Sequence, residues 1–427
     1  MTASFPLPNI DVDRRFKDAM RAGSPDWLWF ELPEARWAEA TETIEAVLRE
    51  MLTFGRSDDK LFDDPIALSI ACYTSGTGPL LGSWIEQGKL TTTAQNAEIL
   101  RIHLDHNRMR MARLTTWASE AVDALSAVGA TPIVMKGMHT AHHYFDEPGQ
   151  RVASDIDLLV RPDELPIVAG VLTELNYEPR KGSFLQRSWA RPATAETPVT
   201  LTYVHRDDPW SIDLHEGVVC KLAGGSLVAD ISALLPTIAL DSWRLSRGGV
   251  VFPPPLLLIH LLIHASRCFV SLTLQRQYEI CLVIRGNDGR EAFDWPAFAE
   301  LCDLGGFWPF LYPALRCAER LSPNIIPPPI MTRACAATPP MVRKLADAHS
   351  SASIHRIGRW SWGERFMWAD GTWPRLRQFL EELAPPEHLN FREAWRKRFS
   401  VLLGSVAART KGARPTAETG DKTQPMG

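Results

Sequence analysis

Residues 151–160 read "RVASDIDLLV" and place two carboxylates inside an aliphatic run. The pattern predicts a β-strand, in which the side chains at positions i and i+2 point to the same face. Asp155 and Asp157 therefore project together, while Ile156 and Leu158 face the opposite side. Two neighbouring carboxylates repel each other, and a divalent cation removes that repulsion. Oxygen ligands at this spacing suit Mg²⁺ or Mn²⁺, whereas a pair of solvated acids at a strand edge is the alternative interpretation.

A second stretch, "SIDLHEG" at 211–217, repeats this spacing with Asp213 and His215 on another predicted strand. If the two strands are neighbours, Asp213 joins Asp155 and Asp157. Three converging carboxylates suit two-metal phosphoryl chemistry, in which one metal activates a hydroxyl and the other holds the triphosphate. A carboxylate can then take the proton. Pairing of Asp213 with a local arginine is the alternative, and His215 is a further candidate for the site.

A third stretch, "VMKGMHTAHH" at 134–143, predicts a strand that runs into a glycine and then a helix. The free N–H groups at a helix start bind phosphate. Gly137 allows close approach of the backbone, and Lys136 adds a point charge unless it is only a surface lysine. Arg151 either contacts the same phosphates or is a structural arginine of the turn. Ser154 completes the predicted set of nucleotide-binding residues.

The histidines are weaker candidates for metal ligands. His139, His142 and His143 lie on one short predicted helix, but the sequence offers no complete zinc ligand set with them. His260 and His264, four residues apart on an apolar helix, are more typical of core residues than of ligands. The sequence contains no H-E-x-x-H zinc motif, no G-x-x-x-x-G-K-S/T phosphate loop and no G-x-S-x-G nucleophile elbow.

The segment 133–179, "IVMKGMHTAHHYFDEPGQRVASDIDLLVRPDELPIVAGVLTELNYEP", resembles the core of the bacterial uncharacterised nucleotidyltransferase family. That family belongs to the DNA polymerase beta-like nucleotidyltransferase superfamily. The resemblance lies in a strand, a K-G pair, a helix with an aromatic residue near its end, an arginine, the D-I-D-L-L-V strand, a second helix and an N-Y pair. The later "IDLH" matches a second block. The resemblance is strong over about 130–220 and less specific in the flanking helical regions.

The resemblance implies a mixed sheet with packed helices and a metal-dependent transfer of a nucleoside monophosphate. It implies Asp155 and Asp157 as ligands of Mg²⁺ or Mn²⁺ and Asp213 as the third carboxylate and candidate base. Lys136 and Gly137 stand where the wider superfamily usually has a glycine-serine pair. The expected donor is an NTP, by default ATP, and the acceptor is a hydroxyl of a small molecule, sugar, peptide or protein. A catalytically silent nucleotide-binding or protein-interaction module on the same fold is the alternative.

Composition limits the partners. The 427 residues carry a net charge of -4, so no large positive field favours a nucleic-acid partner. The seven cysteines are widely spaced without a C-x-x-C, which indicates reduced thiols in a cytoplasmic protein. The N-terminus lacks the apolar region of a secretory signal. The unbroken apolar runs are too short to span a membrane.

The predicted fold class is α+β, with a polymerase beta-like nucleotidyltransferase core between two helical regions. The predicted divisions are a helical region over 1–130, the core over 131–222, a second helical region over 223–404 and a disordered tail over 405–427. Smaller predictions are helices across 34–129, a helix over 138–145, a strand over 198–205, a proline-rich linker over 322–345, and a core or substrate-wall role for the tryptophan-rich stretch 359–373.

Overall fold

The computed structural model describes residues 32–58, 61–180, 186–192, 211–246, 248–267, 269, 272–286, 292–348, 350–354 and 366–383. The predicted strand over 198–205 and the predicted tail over 405–427 lie outside these residues. Of the tryptophan-rich stretch, the structure describes residues 366–373, in which Trp368 is buried and Trp373 is exposed.

Within the described residues, four helices precede the sheet, as the pattern across 34–129 predicted. Two of them begin at strong N-caps. The Asp64 carboxylate accepts hydrogen bonds from the first-turn N–H groups of the second helix, and the Thr93 hydroxyl accepts one from Asn96 at the start of the fourth. These caps explain where the chain enters each helix. The helices are α1 (Glu34–Phe54), α2 (Pro65–Ser75), α3 (Gly78–Glu86) and α4 (Ala94–Ala127).

Of the strands in the described ranges, seven form one mixed sheet in the order β3-β4-β5-β2-β1-β9-β8, and two more form a separate hairpin. The central strands β2 and β5 are parallel, with Asp157 directly opposite Asp213. Strand β1 is antiparallel to β2 and parallel to β9. The sheet contains β1 (Ile133–Val134), β2 (Asp155–Leu159), β3 (Glu178–Pro179), β4 (Gln186–Ala190), β5 (Ser211–His215), β8 (Asp241–Ser242) and β9 (Val250–Val251), and the hairpin is β6 (Val219–Leu222) with β7 (Leu227–Asp230).

One face of the sheet packs into a core with α4 and with helix α6 (Leu165–Glu174). Ile156 and Leu158 of β2 and Ile212 of β5 are fully buried there, together with Leu172 of α6. Fully burying an aliphatic side chain contributes about 1.5–3 kcal/mol. This face therefore fixes the register of β2 and sends its two aspartates to the opposite side.

Helix α5 (Lys136–His143) begins two residues earlier than the predicted helix over 138–145. Met135 adopts an extended conformation and its backbone N–H donates to the Asp157 carbonyl, so the sheet ends there. Lys136 and Gly137 consequently lie in the first turn of the helix. This position brings the lysine side chain next to Asp157 of the acidic strand β2.

In the part of the chain that the structure describes, eight helices follow the sheet. The predicted linker over 322–345 is wrong, because Pro328 and Pro340 lie at helix starts, where the missing N–H of proline costs nothing. Strands β8 and β9 continue the sheet beyond residue 222, while the predicted domain divisions stay predictions. The helices are α7 (Pro254–Arg267), α8 (Leu274–Arg285), α9 (Trp295–Gly305), α10 (Tyr312–Leu321), α11 (Pro328–Ala337), α12 (Pro340–Ala348), α13 (Ser351–Ile354) and α14 (Thr372–Leu383).

The helices before and after the sheet share one hydrophobic core. Ile44 of α1 and Leu68 of α2 belong to the same buried cluster as Leu258 of α7, Ile280 of α8 and Leu315 of α10. The predicted α+β class with helical flanks is confirmed. The two flanks pack together in this one core. Among the described helices, none combines the length and the apolar character needed to cross a bilayer.

Candidate metal and nucleotide site

Three carboxylates converge on the polar side of the two central strands. The parallel register that places Asp157 opposite Asp213 also brings Asp155 to the same face. One oxygen atom from each of the three lies within 4.8 Å of the others. The sequence predicted this convergence from the i, i+2 spacing, and the adjacency of β2 and β5 completes it.

Asp213 is held by neutral donors from two strands. The Ser188 hydroxyl donates to its Oδ1 at 2.7 Å, and the Ser211 hydroxyl donates to the same oxygen at 2.9 Å. The Gln186 side-chain amide donates to Oδ2. These contacts fix the orientation of the Asp213 carboxylate. Pairing of Asp213 with a local arginine was the alternative interpretation of the sequence, and no arginine among the described residues forms this pair.

Asp157 lies between two basic side chains. The Lys136 Nζ is 3.1 Å from its Oδ2, and the His215 Nε2 is 2.9 Å from its Oδ1. Burial alone would raise the pKa of Asp157, but attraction to Lys136 and the hydrogen bond with His215 outweigh burial and hold the pKa well below its usual range. Asp157 is therefore an ionised carboxylate in the folded protein, and His215 reaches the site as the sequence suggested.

The pKa values of Asp155 and Lys136 are both raised within the site. Burial and the repulsion of Asp157 raise the pKa of Asp155 to about 6. Burial lowers the pKa of Lys136, but attraction to Asp157 and then to Asp155 outweighs it and leaves the pKa raised. Three carboxylates, one of them in contact with Lys136, thus lie together, which is the electrostatic setting of a divalent cation site.

A cavity of about 340 Å³ opens beside the acids. Gly137 contributes to its wall by the absence of a side chain, because a Cβ at this position would come within 3.2 Å of the Arg151 guanidinium. Residues of α2, α7 and α8 complete the wall. Among the predicted site residues, those that line the cavity are Lys136, Gly137, Arg151, Ser154, Asp155 and Asp157.

Arg151 is held in the cavity wall by a buried ion pair with α8. Its Nε donates to Glu279 Oε1 at 2.7 Å and its Nη2 donates to Oε2 at 3.2 Å. The Thr140 hydroxyl of α5 also donates to Glu279. The side chain of Glu279 is 1% exposed and that of Arg151 is 8% exposed. This pair ties the segment before β2 to a helix 128 residues away in the chain.

The same segment is fixed by backbone contacts from two helices. The Gln275 side chain of α8 makes two hydrogen bonds of 3.0 Å with the N–H and C=O of Val152. On the other side, the buried Arg110 of α4 donates to the carbonyls of Ala153 and Ser154. The start of β2, and with it Asp155, is therefore positioned by helices from both flanks.

The contribution of α8 to the site was not predicted from the sequence. Gln275, Arg276 and Glu279 all line the cavity, and Arg276 is a second cation beside Lys136. No described residue forms an ion pair with the Arg276 guanidinium. Gln275 and Glu279 lie four residues apart in the helix sequence "LQRQYEICLVIR" and were a usable signal, because residues at that spacing share one helix face.

The histidines divide between core and cavity. His260 is buried in α7 as predicted for a core residue, whereas His264 lines the cavity. Burial lowers the pKa of both. Within the described ranges, the three aspartates are the group of three potential ligands, and His139, His142 and His143 form no such group.

The donor set fits Mg²⁺ or Mn²⁺. Both ions prefer hard oxygen ligands, and Mg²⁺ usually combines one or two carboxylates with substrate phosphates. Asp155, Asp157 and Asp213 supply carboxylate oxygens next to a cavity that cationic side chains also line. The acids and the cavity together provide for a metal and an anionic ligand.

Comparison with known proteins identifies one family. The model of a family described as "Uncharacterised nucleotidyltransferase" matches residues 67–323, which is more than half of the chain. The match includes α2, the complete sheet and the helices α7 and α8 that line the cavity. No curated protein and no solved structure matches the chain.

Proposed function

The chain belongs to the uncharacterised nucleotidyltransferase family, and on that premise we propose that it transfers a nucleoside monophosphate from an NTP to a hydroxyl group. ATP is the default donor, and pyrophosphate is the second product. The observation that carries this proposal is the convergence of Asp155, Asp157 and Asp213 beside a cavity with cationic walls.

We assign the acids the role of holding Mg²⁺ or Mn²⁺. A bound divalent ion would neutralise phosphate charge and lower the pKa of an attacking hydroxyl. Asp213, oriented by Ser188 and Ser211, is the candidate acceptor of the proton of that hydroxyl. His215 keeps Asp157 in a fixed orientation through the contact between its Nε2 and Oδ1.

The phosphates have a group of donors in the wall of the same cavity. The first turn of α5 presents backbone N–H groups at Gly137, and Lys136 and Ser154 lie beside them. Arg276 adds a guanidinium from α8, and Arg151 contributes the positive edge of its ion pair. A triphosphate in this cavity would lie close to these cations and to the metal-binding acids.

The acceptor is proposed only as a class: a small molecule, a sugar, or a peptide or protein hydroxyl. The alternative function is a silent nucleotide-binding or protein-interaction module, supported by the extensive helical core around the site. The two differ in pyrophosphate release, which the silent module would not show with any acceptor pool.

Replacing both strand acids tests the proposed function. Asp155→Ala/Asp157→Ala is expected to lower magnesium-dependent ATP affinity by more than about 100-fold, since even the outer-shell partners of metal sites contribute 10–100-fold. Isothermal titration of ATP with Mg²⁺ measures this affinity. Asp105→Ala/Asp123→Ala, which removes two acids of α4 that do not line the cavity, is the control and should bind like wild type. Equal magnesium-dependent binding by the site variant and wild type would contradict the proposal.

Replacing the α8 cation tests the phosphate assignment separately. Arg276→Met is expected to weaken ATP binding roughly 10–100-fold, because a hydrogen bond to a charged group contributes about 1.5–3 kcal/mol. Binding of Mn²⁺ alone should not weaken. Arg285→Met, at the exposed far end of α8, is the matched control. An Arg276→Met protein with wild-type ATP affinity would remove Arg276 from the proposed site.

A further inference from the structure

Lys136 neutralises an acid that is also a proposed metal ligand. Its Nζ lies 3.1 Å from Asp157 Oδ2, and its charge also acts on Asp155. The lysine side chain is 21% exposed and that of Asp157 is 3% exposed. Such a buried pair is screened much less by salt than a surface pair. The lysine is therefore a substantial electrostatic element of the acidic cluster.

A metal ion and the lysine ammonium compete for the same oxygen. Mg²⁺ binds carboxylate oxygens at about 2.0–2.1 Å. An ammonium in contact with Asp157 Oδ2 would then be held within a few ångströms of the ion, and the two positive charges would repel each other. The other oxygen, Oδ1, is already in contact with His215. Lys136 in its present position therefore opposes the binding of a metal through Asp157.

The cavity offers the displaced ammonium another place. Lys136 lines the cavity together with Ser154 and Arg276, where the triphosphate is proposed to bind. Lysine carries its charge on a flexible four-carbon chain with three donors, so a short reorientation exchanges one anionic partner for another. A triphosphate without its metal would find this lysine engaged by Asp157.

On the premise that the acids bind a divalent cation as proposed above, we propose that Lys136 is a placeholder cation. It neutralises Asp157 while the site is free of metal and moves to the triphosphate when metal and nucleotide bind together. Free metal ions are thereby disfavoured, because they displace the ammonium without giving it a new partner. Metal and nucleotide bind cooperatively, since each improves the affinity for the other.

Binding of Mn²⁺ without nucleotide tests the placeholder cation. Lys136→Met is expected to bind Mn²⁺ about tenfold tighter than wild type, within the usual range of coupling factors. Electron paramagnetic resonance of free Mn²⁺ measures it. A non-hydrolysable ATP analogue should raise Mn²⁺ affinity more in wild type than in the variant. Lys89→Met is the matched control, because Lys89 also pairs with an aspartate, Asp146 at 3.4 Å, but at the surface.

The outcomes separate this inference from the proposed function. Unchanged or weaker Mn²⁺ binding by Lys136→Met, with wild type and Lys89→Met binding normally, overturns the placeholder cation alone. A wild-type protein that binds neither Mn²⁺ nor the nucleotide analogue overturns the proposed function and this inference with it. Tighter Mn²⁺ binding by Lys136→Met supports both, provided that adding Asp155→Ala/Asp157→Ala to this variant abolishes the binding.

A measurement on the wild-type protein covers the case in which Lys136→Met does not fold. Selective ¹⁵N labelling of lysine gives ammonium resonances, and that of Lys136 is the resonance missing from the spectrum of Lys136→Arg. It is expected to shift when Mg²⁺ and the analogue are added together, because its partner changes from Asp157 to phosphate. An unshifted resonance in the presence of bound Mg²⁺ and analogue overturns the inference.

Discussion

Glu279→Ala is expected to lower the free energy of unfolding by about 3–5 kcal/mol, the cost of leaving a buried charge without its partner. Glu279 accepts two hydrogen bonds from Arg151 at 2.7 and 3.2 Å, and both side chains are nearly inaccessible to water. The substitution leaves the guanidinium buried among residues that cannot replace the carboxylate. It also removes the acceptor of the Thr140 hydroxyl. The shift in the urea unfolding midpoint measures the loss.

A double variant separates charge from packing. Arg151→Met/Glu279→Leu removes both charges and fills the space with apolar side chains, which is often close to neutral for stability. We therefore expect it to be more stable than Glu279→Ala. Glu300→Ala, an exposed glutamate of α9, should change the unfolding free energy by no more than about 0.5 kcal/mol. A double variant as unstable as the single variant would show that the pair itself stabilises the fold.

The ion pair also links the stability of the fold to the site. The segment held by Arg151 and Gln275 leads directly into Asp155. A stable double variant would therefore still have lost one support of the acidic strand. Its nucleotide affinity would report, independently of folding, the combined loss of this support and of the Arg151 guanidinium from the cavity wall.

The acidic strand could be predicted from sequence because its information is local. The i, i+2 spacing in "DIDLL" specifies which side chains share a face, and the alternating aliphatics specify which face is buried. The adjacency of Asp213 needed one further assumption, that the two similar strands are neighbours. That assumption is confirmed by the register of β2 and β5.

The contribution of α8 could not be predicted in the same way. Glu279 and Arg151 are 128 residues apart, and no local pattern shows that two such residues meet. The start of α5 was misplaced for a different reason, since helix boundaries depend on where the preceding strand stops hydrogen bonding. Because the helix begins two residues earlier than predicted, Lys136 lies at the start of the helix and not at the end of a strand.

Acidification is expected to destabilise the protein through its buried histidines. His103 of α4 is fully buried, and neither of its ring nitrogens has a hydrogen-bond partner among the described residues. Burial, and then the nearby His106, lower its pKa to about 3. Burial likewise lowers the pKa of His260 to about 3, where the positive charge of Lys136 opposes protonation and Asp157 favours it. Both rings are therefore neutral in the folded protein at pH values where an unfolded histidine is charged.

The sign of the effect follows from proton binding. Between about pH 6.5 and pH 3 the unfolded chain binds protons at these histidines and the folded protein does not, so stability is present above pH 6.5 and is lost as the pH falls. At pH 4.5 each histidine accounts for a loss on the order of 2–3 kcal/mol. His103→Leu should remove one such contribution from the difference in unfolding free energy between pH 7 and pH 4.5, measured by urea denaturation. Leu104→Met, its buried neighbour without an ionisable group, should leave that difference unchanged. An identical pH dependence in His103→Leu and wild type would contradict the statement that burial keeps His103 neutral in the folded protein.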